Sequence, residues 1–490
     1  MSIVSLFDEL AKSIFAAEEI FFQNPRDLHS LETSVKTSTE AFAARFLGEV
    51  LSGLDKCIYE STWRDGKYAV QRRDKRTLIS SVGDVTFDCT YYRGIGERSG
   101  FTHLLEDLIG LERNERFTEA AEVAMLCEAL KTSYREAARV LPSKQVITKT
   151  TVMNKVHGIA EEIPDAAREE RRSVPYLYVE ADEDHVAEQH GRSAKEGENG
   201  SFMSKLVYVY ECRRETDVKD RFELVNKYYF GGLYSGREGT RRLWEKVNRF
   251  IELNYDAEDL KRIFVSGDGA GWIKAGASYL GNAVFCADKY HLMQYLNAAA
   301  GQFPEERDAV KEELWHLLHS ERAGAKKKFD AYTGVMTEKA KNPKVVEQLR
   351  GYVLGNWSAV RRTLKNKLLT GCSAESHVSH VLSDRLSSRP MGWSQSGADR
   401  MSKLRCYERN NGREKIIDLV RYSRERRRMG ATGTEDLSPR ELSVHDVTDY
   451  HRSQARAYIE RIQAHIPFAS IRKMSFVRDH MDLLASVKFL

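Results

Sequence analysis

The sequence has no long hydrophobic run, no closely spaced pair of cysteines and little net charge. Its apolar runs are far shorter than the ~20 residues that a membrane helix requires, so no membrane span is expected. The seven cysteines are odd in number and include no C-x-x-C pair, which argues against a disulfide framework or zinc finger and favours a reducing cytoplasm. The first residues, M-S-I-V-S-L-F-D-E-L-A-K, lack a basic region before an apolar block, so no export signal is expected.

The composition is that of a soluble, globular protein with more than one domain. Hydrophobic residues make up 41% and charged residues 30% of the 490-residue chain, which excludes a disordered protein. A chain of this length is too long for a single core and is expected to divide into about two to four domains.

Positive charge is concentrated near the C-terminal end of the sequence. The net charge is only +4, but the segment Ser402–Arg428 contains ten Lys and Arg against four acids. Such a run attracts polyanions, and the arginines expected to contact DNA are Arg424, Arg426, Arg427 and Arg428. A solvated helix face explains the run equally well.

The first third of the sequence changes from a helical to a strand pattern and back again. Residues 66–93 contain T-L-I-S-S-V-G-D-V-T-F-D-C-T-Y-Y, which is β-branched and aromatic and predicts a β-hairpin broken at Gly83. Arginine and lysine residues flank it. A basic hairpin can reach a DNA groove, although charged hairpins are more often soluble edges.

Helices return from residue 117 to residue 159 in a helix-turn-helix order. The pattern predicts a helix over Tyr134–Leu141, capped by Ser133 and ended by Pro142, and a second helix capped by Thr148 or Thr150. Residues of the second helix expected to face DNA are Lys149, Thr150, Asn154 and Lys155. Two helices joined by a turn also occur in any helical domain.

Two strands of the middle region end in acidic residues. Tyr176–Ala181 is strongly strand-forming and is followed by Asp182, Glu183 and Asp184. Further on, I-F-V-S-G-D-G-A-G-W-I-K places Asp268 between glycines directly after a short apolar strand. Carboxylates crowded at strand ends lose favourable hydration, which destabilises the fold unless a metal or other partners neutralise their charge. An acidic solvent-facing edge and an ordinary Asp-Gly turn are the alternatives.

The order of elements predicts how these acids meet. Strands 202–211 and 222–231 follow the first strand as an antiparallel meander, and a helix, the Asp268 strand, a helix and a strand over 283–287 come next. The order β-β-β-α-β-α-β is that of the ribonuclease-H-like fold, a mixed α/β fold whose first and fourth strands are neighbours. Asp182 and Asp268 are therefore expected to share metal ions.

Two later motifs supply further candidate residues. The fifth strand is followed by Asp288-Lys-Tyr-His291, a D-x-x-H pattern whose ordinary explanation is a capped helix start. After a helical stretch over 304–370, the run G-C-S-A-E-S-H-V-S-H-V-L-S-D-R-L contains Ser373 as a helix cap and Glu375 in the first turn. A helix-borne Glu after the last strand would supply a third carboxylate in this fold.

These residues resemble a known family. The set Asp182, Asp268 and Glu375 resembles the DDE triad of bacterial insertion-sequence transposases, most closely the ISLre-type group and more distantly the Mutator-like transposases. The stretches that carry the resemblance are Y-L-Y-V-E-A-D-E-D-H-V-A-E-Q, V-S-G-D-G-A-G-W-I-K, F-C-A-D-K-Y-H-L and C-S-A-E-S-H-V-S-H-V-L-S-D-R-L-S-S-R-P-M-G-W-S. Asp268 and Glu375 are 107 residues apart, which requires the helical insertion and is normal for the Mutator-like relatives. Asp184 competes with Asp182 as the first acid.

The resemblance implies phosphoryl transfer on double-stranded DNA. The triad would bind Mg²⁺, with Mn²⁺ as a substitute, first to cleave DNA at the terminal inverted repeats and then to join the freed 3′-hydroxyl to target DNA. Homo-oligomers paired on the two ends, and a bacterial cytoplasmic location at the nucleoid, are also expected. Accessory residues would be Asp184, Asp288, His291 and Trp272. Trp272 and Trp393 fit stacking on unpaired bases, but core packing is the more ordinary role for both.

Three other functions share some of these features. A metal-dependent nuclease or resolvase on the same fold would cleave DNA without joining it. An inactivated transposase would only bind DNA. The three intact acids argue against this alternative, because an inactive copy is free to lose them. A structural helical protein would carry all of these acids on its surface.

The predicted segments follow the chain in order. They are an N-terminal helical region (1–65), a β-hairpin plus helix-turn-helix-like region (66–160), the first part of a ribonuclease-H-like core (173–300), an all-helical insertion (301–370), the last part of the core with the basic segment (371–430) and a C-terminal helical region (431–490).

Overall fold

A computed structural model describes residues 3–96, 100–189, 200–218, 221–369, 371–389 and 391–429, together with 452, 453 and 456. The chain is mixed α/β and forms two units. Of the described residues, the first unit contains those of 1–129, 133–152 and 420–429, and the second contains those of 130–132 and 153–419. The predicted C-terminal helical region lies outside the described residues apart from the three isolated positions.

The first unit combines a helical pair with a β-hairpin. Its elements are α1 (Ile3–Gln23), α2 (Leu28–Glu60), β1 (Tyr68–Ser80), β2 (Gly83–Gly94), β3 (Phe101–Thr102), α3 (Leu104–Leu108), α4 (Glu119–Ala129), α5 (Tyr134–Ala137) and α6 (Lys149–His157). Ile58 of α2 and Phe87 and Tyr92 of β2 are buried in one apolar cluster with Leu105 of α3. The predicted hairpin is confirmed, and Ser80 pairs with Gly83 at its turn.

The predicted helix pair forms with one shorter member. Ser133 Oγ accepts the backbone N–H of Glu136 at 3.2 Å and Thr148 Oγ1 accepts that of Thr151 at 3.2 Å, so both predicted caps are present. The helix predicted to reach Leu141 instead ends at Ala137, as α5. The boundary between the units lies within α6, whose last residues belong to the second unit.

The second unit is built on a five-stranded sheet. The strands of the unit are β4 (Tyr176–Ala187), β5 (Ser201–Tyr210), β6 (Cys212–Glu215), β7 (Phe222–Val225), β8 (Tyr228–Gly232), β9 (Arg262–Gly267) and β10 (Ala283–Ala287). All of them except β6 and β7 belong to the five-stranded sheet. The helices of the unit are α7 (Gly236–Asn254), α8 (Gly271–Tyr279), α9 (Lys289–Ala300), α10 (Arg307–His319), α11 (Ala325–Lys339), α12 (Pro343–Gly355), α13 (Trp357–Lys365), α14 (Ala374–Val378), α15 (Asp384–Leu386) and α16 (Gln395–Asn411), with α17 (Ile416–Met429) crossing into the first unit.

The order of strands in this sheet is β10-β9-β4-β5-β8. β4 runs parallel to β9, and β9 runs parallel to β10, whereas β5 is antiparallel to both β4 and β8. The first and fourth strands of the sheet along the chain are therefore neighbours. Alternate residues of β4 (Leu177, Val179 and Ala181) are buried against the helices α7 and α8.

Two predicted strands differ from the observed ones. β4 continues past Ala181 to Ala187, because β5 keeps pairing with it as far as Ser201, so the acidic residues lie within the strand rather than after it. The predicted strand 222–231 is divided into β7 and β8 at Asn226, a non-glycine residue with φ +52°. β7 pairs with β6 in a separate two-stranded ribbon.

The region predicted to be all-helical contains α10 to α13. Together with α9 these helices bury a separate apolar cluster that includes Leu296, Leu314, Phe329 and Val353. In the described part of the chain no helix is both long enough and apolar enough to cross a membrane.

Candidate active site

Two aspartates lie on or directly after neighbouring parallel strands of the sheet, Asp182 within β4 and Asp268 just after β9. Glu180 of β4 pairs with Ser266 of β9. Two residues further along β4 comes Asp182, on the face of the sheet opposite the apolar residues packed on α7 and α8, and Asp268 follows Gly267, the last residue of β9. The prediction that the first and fourth strands of the sheet are neighbours agrees with this register.

The two carboxylates influence each other, and neither has a lysine or arginine partner among the described residues. Burial raises the pKa of Asp182 to about 6, and the nearby charge of Asp268 adds to this shift. Each side chain accepts one local backbone N–H, Asp182 from Glu183 at 2.9 Å and Asp268 from Ala270 at 2.8 Å. Within the described ranges no Lys or Arg forms a hydrogen bond or ion pair with either carboxylate. Adjacent acids without a cation are electrostatically suited to bind one.

The third parallel strand, β10, is followed by an aspartate–histidine pair, Asp288 and His291. Asp288 follows β10, is buried, and caps α9 by accepting the N–H of Tyr290 at 2.9 Å. His291 Nδ1 donates to its other oxygen at 2.7 Å. This hydrogen bond raises the pKa of His291, and the charges of Asp182 and Asp268 raise it further. The D-x-x-H motif is therefore both a helix cap and a basic group beside the two acids.

Asp184, the competing first acid, has different surroundings. Its Oδ1 accepts the hydroxyl of Ser387 at 2.8 Å, and its Oδ2 is buried without a hydrogen-bond partner. Burial raises its pKa. Asp184 therefore contacts the segment after α14, whereas Asp182 is the carboxylate on this strand that interacts with Asp268.

Glu375 lies on a helix that packs against the same strand. It is in the first turn of α14, which contacts β4. Its side chain is exposed, and no side chain in the described residues bonds its carboxylate. Asp182 and Asp268 thus interact electrostatically, but among the described residues they do not form with Glu375 a group whose ligand atoms all lie within 4.8 Å of one another. Ser373 precedes this helix as predicted, but its side chain does not cap it.

A different set of metal-ligand residue types is grouped in the first unit. Cys89, His103 and Glu106 have ligand atoms within 4.8 Å of one another, and this is the one such group among the described residues. Arg76 forms an ion pair with Glu106, so a cation is already present. Burial raises the pKa of the Cys89 thiol to about 12, which disfavours the thiolate that metal binding requires. We assign no metal to this group.

The two tryptophans near the site pack inside the protein. Trp272 Nε1 donates to the carboxylate of Glu183, and the Lys205 ammonium lies 4.7 Å from the Trp272 ring centroid. Trp393 is buried and its Nε1 donates to the carbonyl of Leu386 at 3.1 Å. Their packing role, which the sequence favoured, accounts for both contacts.

The helix α6 exposes the residues predicted to contact DNA. Lys149, Thr150 and Asn154 are exposed and Lys155 is half-buried, whereas Val152 on the same helix is fully buried. The exposed side of this helix is therefore polar and carries positive charge.

The arginines of α17 have unequal surroundings. Arg424 is buried, and its Nη2 donates to Glu122 at 2.6 Å. Arg427 Nε donates to Glu112 at 2.9 Å. Arg426 is exposed and Arg428 is half-buried. The expectation that Arg424 contacts DNA conflicts with its burial, because its charge is matched inside the first unit.

Sequence reasoning did not single out Glu180, which is 1% exposed on the same face of β4 as Asp182. The available signal was the alternation in Y-L-Y-V-E-A-D, where a charged residue occupies a position inside an otherwise apolar strand. Such a residue requires several hydrogen bonds when it is buried.

Comparisons with known proteins identify relatives. The model of an uncharacterised protein family (UPF0236) matches residues 22–422. A UPF0236 protein of Caldanaerobacter subterraneus subsp. tengcongensis, whose name joins eleven locus labels, is 33% identical over 396 residues, covering 80% of each chain. The UPF0236 protein in the vanSb 3′ region of Streptococcus gallolyticus is 22% identical over 401 residues, covering 79% of this chain and 84% of its own.

A solved structure was also matched. It is the Drosophila P element transposase strand transfer complex, at 12% identity and a TM-score of 0.22, covering 66% of this chain and 84% of that chain. A score of this size does not establish a shared fold.

Proposed function

This chain belongs to the UPF0236 family, and we propose that it is a DDE-type DNA transposase. It cleaves DNA at the ends of an insertion sequence and joins the freed 3′-hydroxyls to target DNA by metal-assisted phosphoryl transfer. The observation that carries this proposal is the placement of Asp182 within β4 and of Asp268 directly after the neighbouring parallel strand β9, near enough for their charges to interact. The strand order β10-β9-β4-β5-β8 supports it, because it is the order expected of a ribonuclease-H-like fold with α10 to α13 as the helical insertion.

The residues at this edge suit Mg²⁺, for which Mn²⁺ can substitute. Asp182 and Asp268 would hold it, since both are carboxylates without a lysine or arginine partner, and Glu375 on the adjoining helix is the proposed third ligand. Held there, Mg²⁺ would supply the positive charge that favours ionisation of an attacking hydroxyl and stabilises the leaving oxygen of a phosphodiester. No side chain is needed as a nucleophile.

The chain's own residues divide the other tasks. Asp182 is the proposed first acid, because Asp184 is engaged by Ser387. His291, oriented by Asp288, would contact a substrate phosphate, since its raised pKa favours the positively charged imidazolium.

The DNA partners are the terminal inverted repeats and the target. The exposed side of α6 is proposed to contact the repeats through Lys149, Thr150, Asn154 and Lys155. Pairing of two ends would require a homo-oligomer, and the reaction would occur on the bacterial nucleoid in the cytoplasm.

The name of one relative adds support of a different kind. It joins eleven locus labels in one organism. A gene present at many loci is what repeated transposition leaves in a genome.

The proposal is tested with DNA carrying the repeats that flank the gene. The purified full chain is incubated with this DNA and a target plasmid, with and without Mg²⁺, and a duplex with scrambled repeats serves as control. We expect Mg²⁺-dependent nicks at the repeat ends and joined products in the plasmid, both absent from the scrambled duplex.

Other products would point to other functions. Cleavage without joining, even when a pre-cut 3′-hydroxyl end is supplied, would identify a nuclease. Binding to the repeats without cleavage in Mg²⁺ or Mn²⁺ would identify a DNA-binding protein and contradict the proposal.

A further inference from the structure

One buried carboxylate of β4 has no part in the proposed chemistry. Glu180 lies two residues before Asp182 on the same face of the strand and is 1% exposed. A charged group at such a position is costly unless hydrogen bonds and an opposite charge compensate it.

Glu180 is compensated by groups from three parts of the chain. Its Oε1 accepts the hydroxyl of Tyr210 at 2.6 Å and the Nη2 of Arg213 at 3.1 Å. Its Oε2 accepts the hydroxyl of Tyr208, and also the backbone N–H of Ser373 at 2.7 Å and its hydroxyl at 3.1 Å. Both oxygens of the carboxylate are therefore fully bonded.

The bonds from Ser373 attach the start of α14 to β4. Arg213 strengthens this attachment, since its Nη2 also donates to the carbonyl of Gly371 at 2.9 Å. Glu375 lies two residues after Ser373, just as Asp182 lies two residues after Glu180. The hydrogen bonds between Glu180 and Ser373 are thus two residues along the chain from the first acid, Asp182, and two residues from the third, Glu375.

Further contacts hold the same segment along the strand. His377 Nδ1 and the hydroxyl of Tyr229 are joined by a 2.8 Å hydrogen bond, and the His377 ring centroid lies 4.4 Å from that of Tyr208. Beyond α14, the Ser387 hydroxyl donates to Asp184. Glu180 and Asp184 therefore bind the segment on either side of Asp182, which is left to face Asp268.

We propose that Glu180 is a positioning residue that fixes the helix carrying Glu375 against the strand carrying Asp182. The inference rests on the proposed function for its catalytic consequence, but the attachment itself is independent of activity. A misplacement of about 1 Å between reacting groups costs about 100-fold in rate, so the hydrogen bonds of Glu180 matter to turnover without contact with DNA.

The test is Glu180→Gln beside a matched control, Glu211→Gln. Glu211 is another buried carboxylate of this unit, paired with Arg172 at 2.7 Å and bonded by the Tyr255 hydroxyl at 3.3 Å, and the segment 371–389 does not bond it. Both variants remove one buried charge opposite an arginine, so similar losses of melting temperature are expected. Ser373→Ala, which removes only the hydroxyl contact, is the milder second variant if Glu180→Gln does not fold.

Two readouts separate positioning from general stability. Hydrogen exchange of the α14 amides should be at least about tenfold faster in Glu180→Gln than in wild type, and unchanged in Glu211→Gln. In the joining reaction, Glu180→Gln should lower kcat about 10- to 100-fold with KM for DNA within about threefold, and Glu211→Gln should change neither by more than about threefold. Ser373→Ala should shift both readouts in the same direction by less.

The possible failures are distinguishable. Unchanged exchange of α14 in Glu180→Gln would overturn the attachment. Faster exchange with unaltered kcat, or equal kcat losses in both Gln variants, would overturn the positioning role. An inactive wild type would contradict the proposed function and leave the exchange result as the test of the attachment.

Discussion

Replacing Asp268 by Asn is expected to lower DNA cleavage and strand joining on the order of 10³-fold or more, while binding to the repeats persists. The Asn side chain keeps the acceptor that takes the Ala270 N–H at 2.8 Å, so the turn after β9 should be preserved. It removes one of the two negative charges proposed to hold the metal ion. The loss should therefore appear in kcat, measured on pre-cut ends at saturating DNA.

Glu183→Gln is the matched control for this variant. Glu183 is next to Asp182 in sequence, but it lies on the other face of β4. Its carboxylate accepts a hydrogen bond from Trp272 Nε1, and the side-chain oxygen of Gln can accept the same bond. The activity of Glu183→Gln should stay within about threefold of wild type. A conservative substitution of this kind is expected to change the free energy of unfolding by less than about 1 kcal/mol. An Asp268→Asn variant as active as this control would mean that the active site lies elsewhere.

Replacing Asp182 by Asn is expected to stabilise the metal-free protein while abolishing activity. Burial, with Asp268, raises the pKa of Asp182 to about 6, so its ionised form is disfavoured in the folded state. From the ordinary Asp pKa of about 4 up to about 6, the folded state binds more protons than the unfolded state, so this group makes stability fall as pH rises. Above pH 6 the loss of folding free energy caused by ionised Asp182 stays constant, at about 1–3 kcal/mol.

The stability advantage of Asp182→Asn should shrink when Mg²⁺ is added. Without divalent ions, Asp182→Asn should melt a few degrees above wild type at pH 7.5, and the difference should vanish near pH 4. Mg²⁺ at about ten times its Kd should raise the stability of wild type by about 1.4 kcal/mol and that of the variant much less. Equal Mg²⁺ stabilisation of both proteins, or a variant that melts lower at every pH, would show that Asp182 does not belong to a cation site.

The sequence was informative wherever structure depends on local pattern. Alternating and β-branched residues predicted β4, β5, β9 and β10, and Gly83 predicted the hairpin turn, because strand periodicity and turn geometry are set within a few residues. The pairing of β4 with β9 also followed, since the order of strands and helices restricts which strands are neighbours.

Long-range side-chain partners were not predictable in this way. Glu180 bonds Ser373, which is 193 residues away, and Arg424 bonds Glu122, 302 residues away, so nothing near either residue indicates the partner. A basic run in the sequence therefore did not distinguish the buried Arg424 from the exposed Arg426. The extension of β4 to Ala187 was missed for a related reason, because acidic residues in a strand depend on pairing with β5.

The central claim is that Asp182 and Asp268 act together on a phosphate of DNA. It is tested most directly with a repeat end whose scissile phosphate carries sulfur in place of a non-bridging oxygen. Carboxylate sites accept both Mg²⁺ and Mn²⁺, and Mn²⁺ tolerates sulfur better. We predict that wild type cleaves one diastereomer at least about tenfold more slowly in Mg²⁺, that Mn²⁺ restores the rate, and that Asp268→Asn is inactive with either ion. Equal cleavage of sulfur and oxygen substrates in Mg²⁺, with activity retained in Asp268→Asn, would contradict the account.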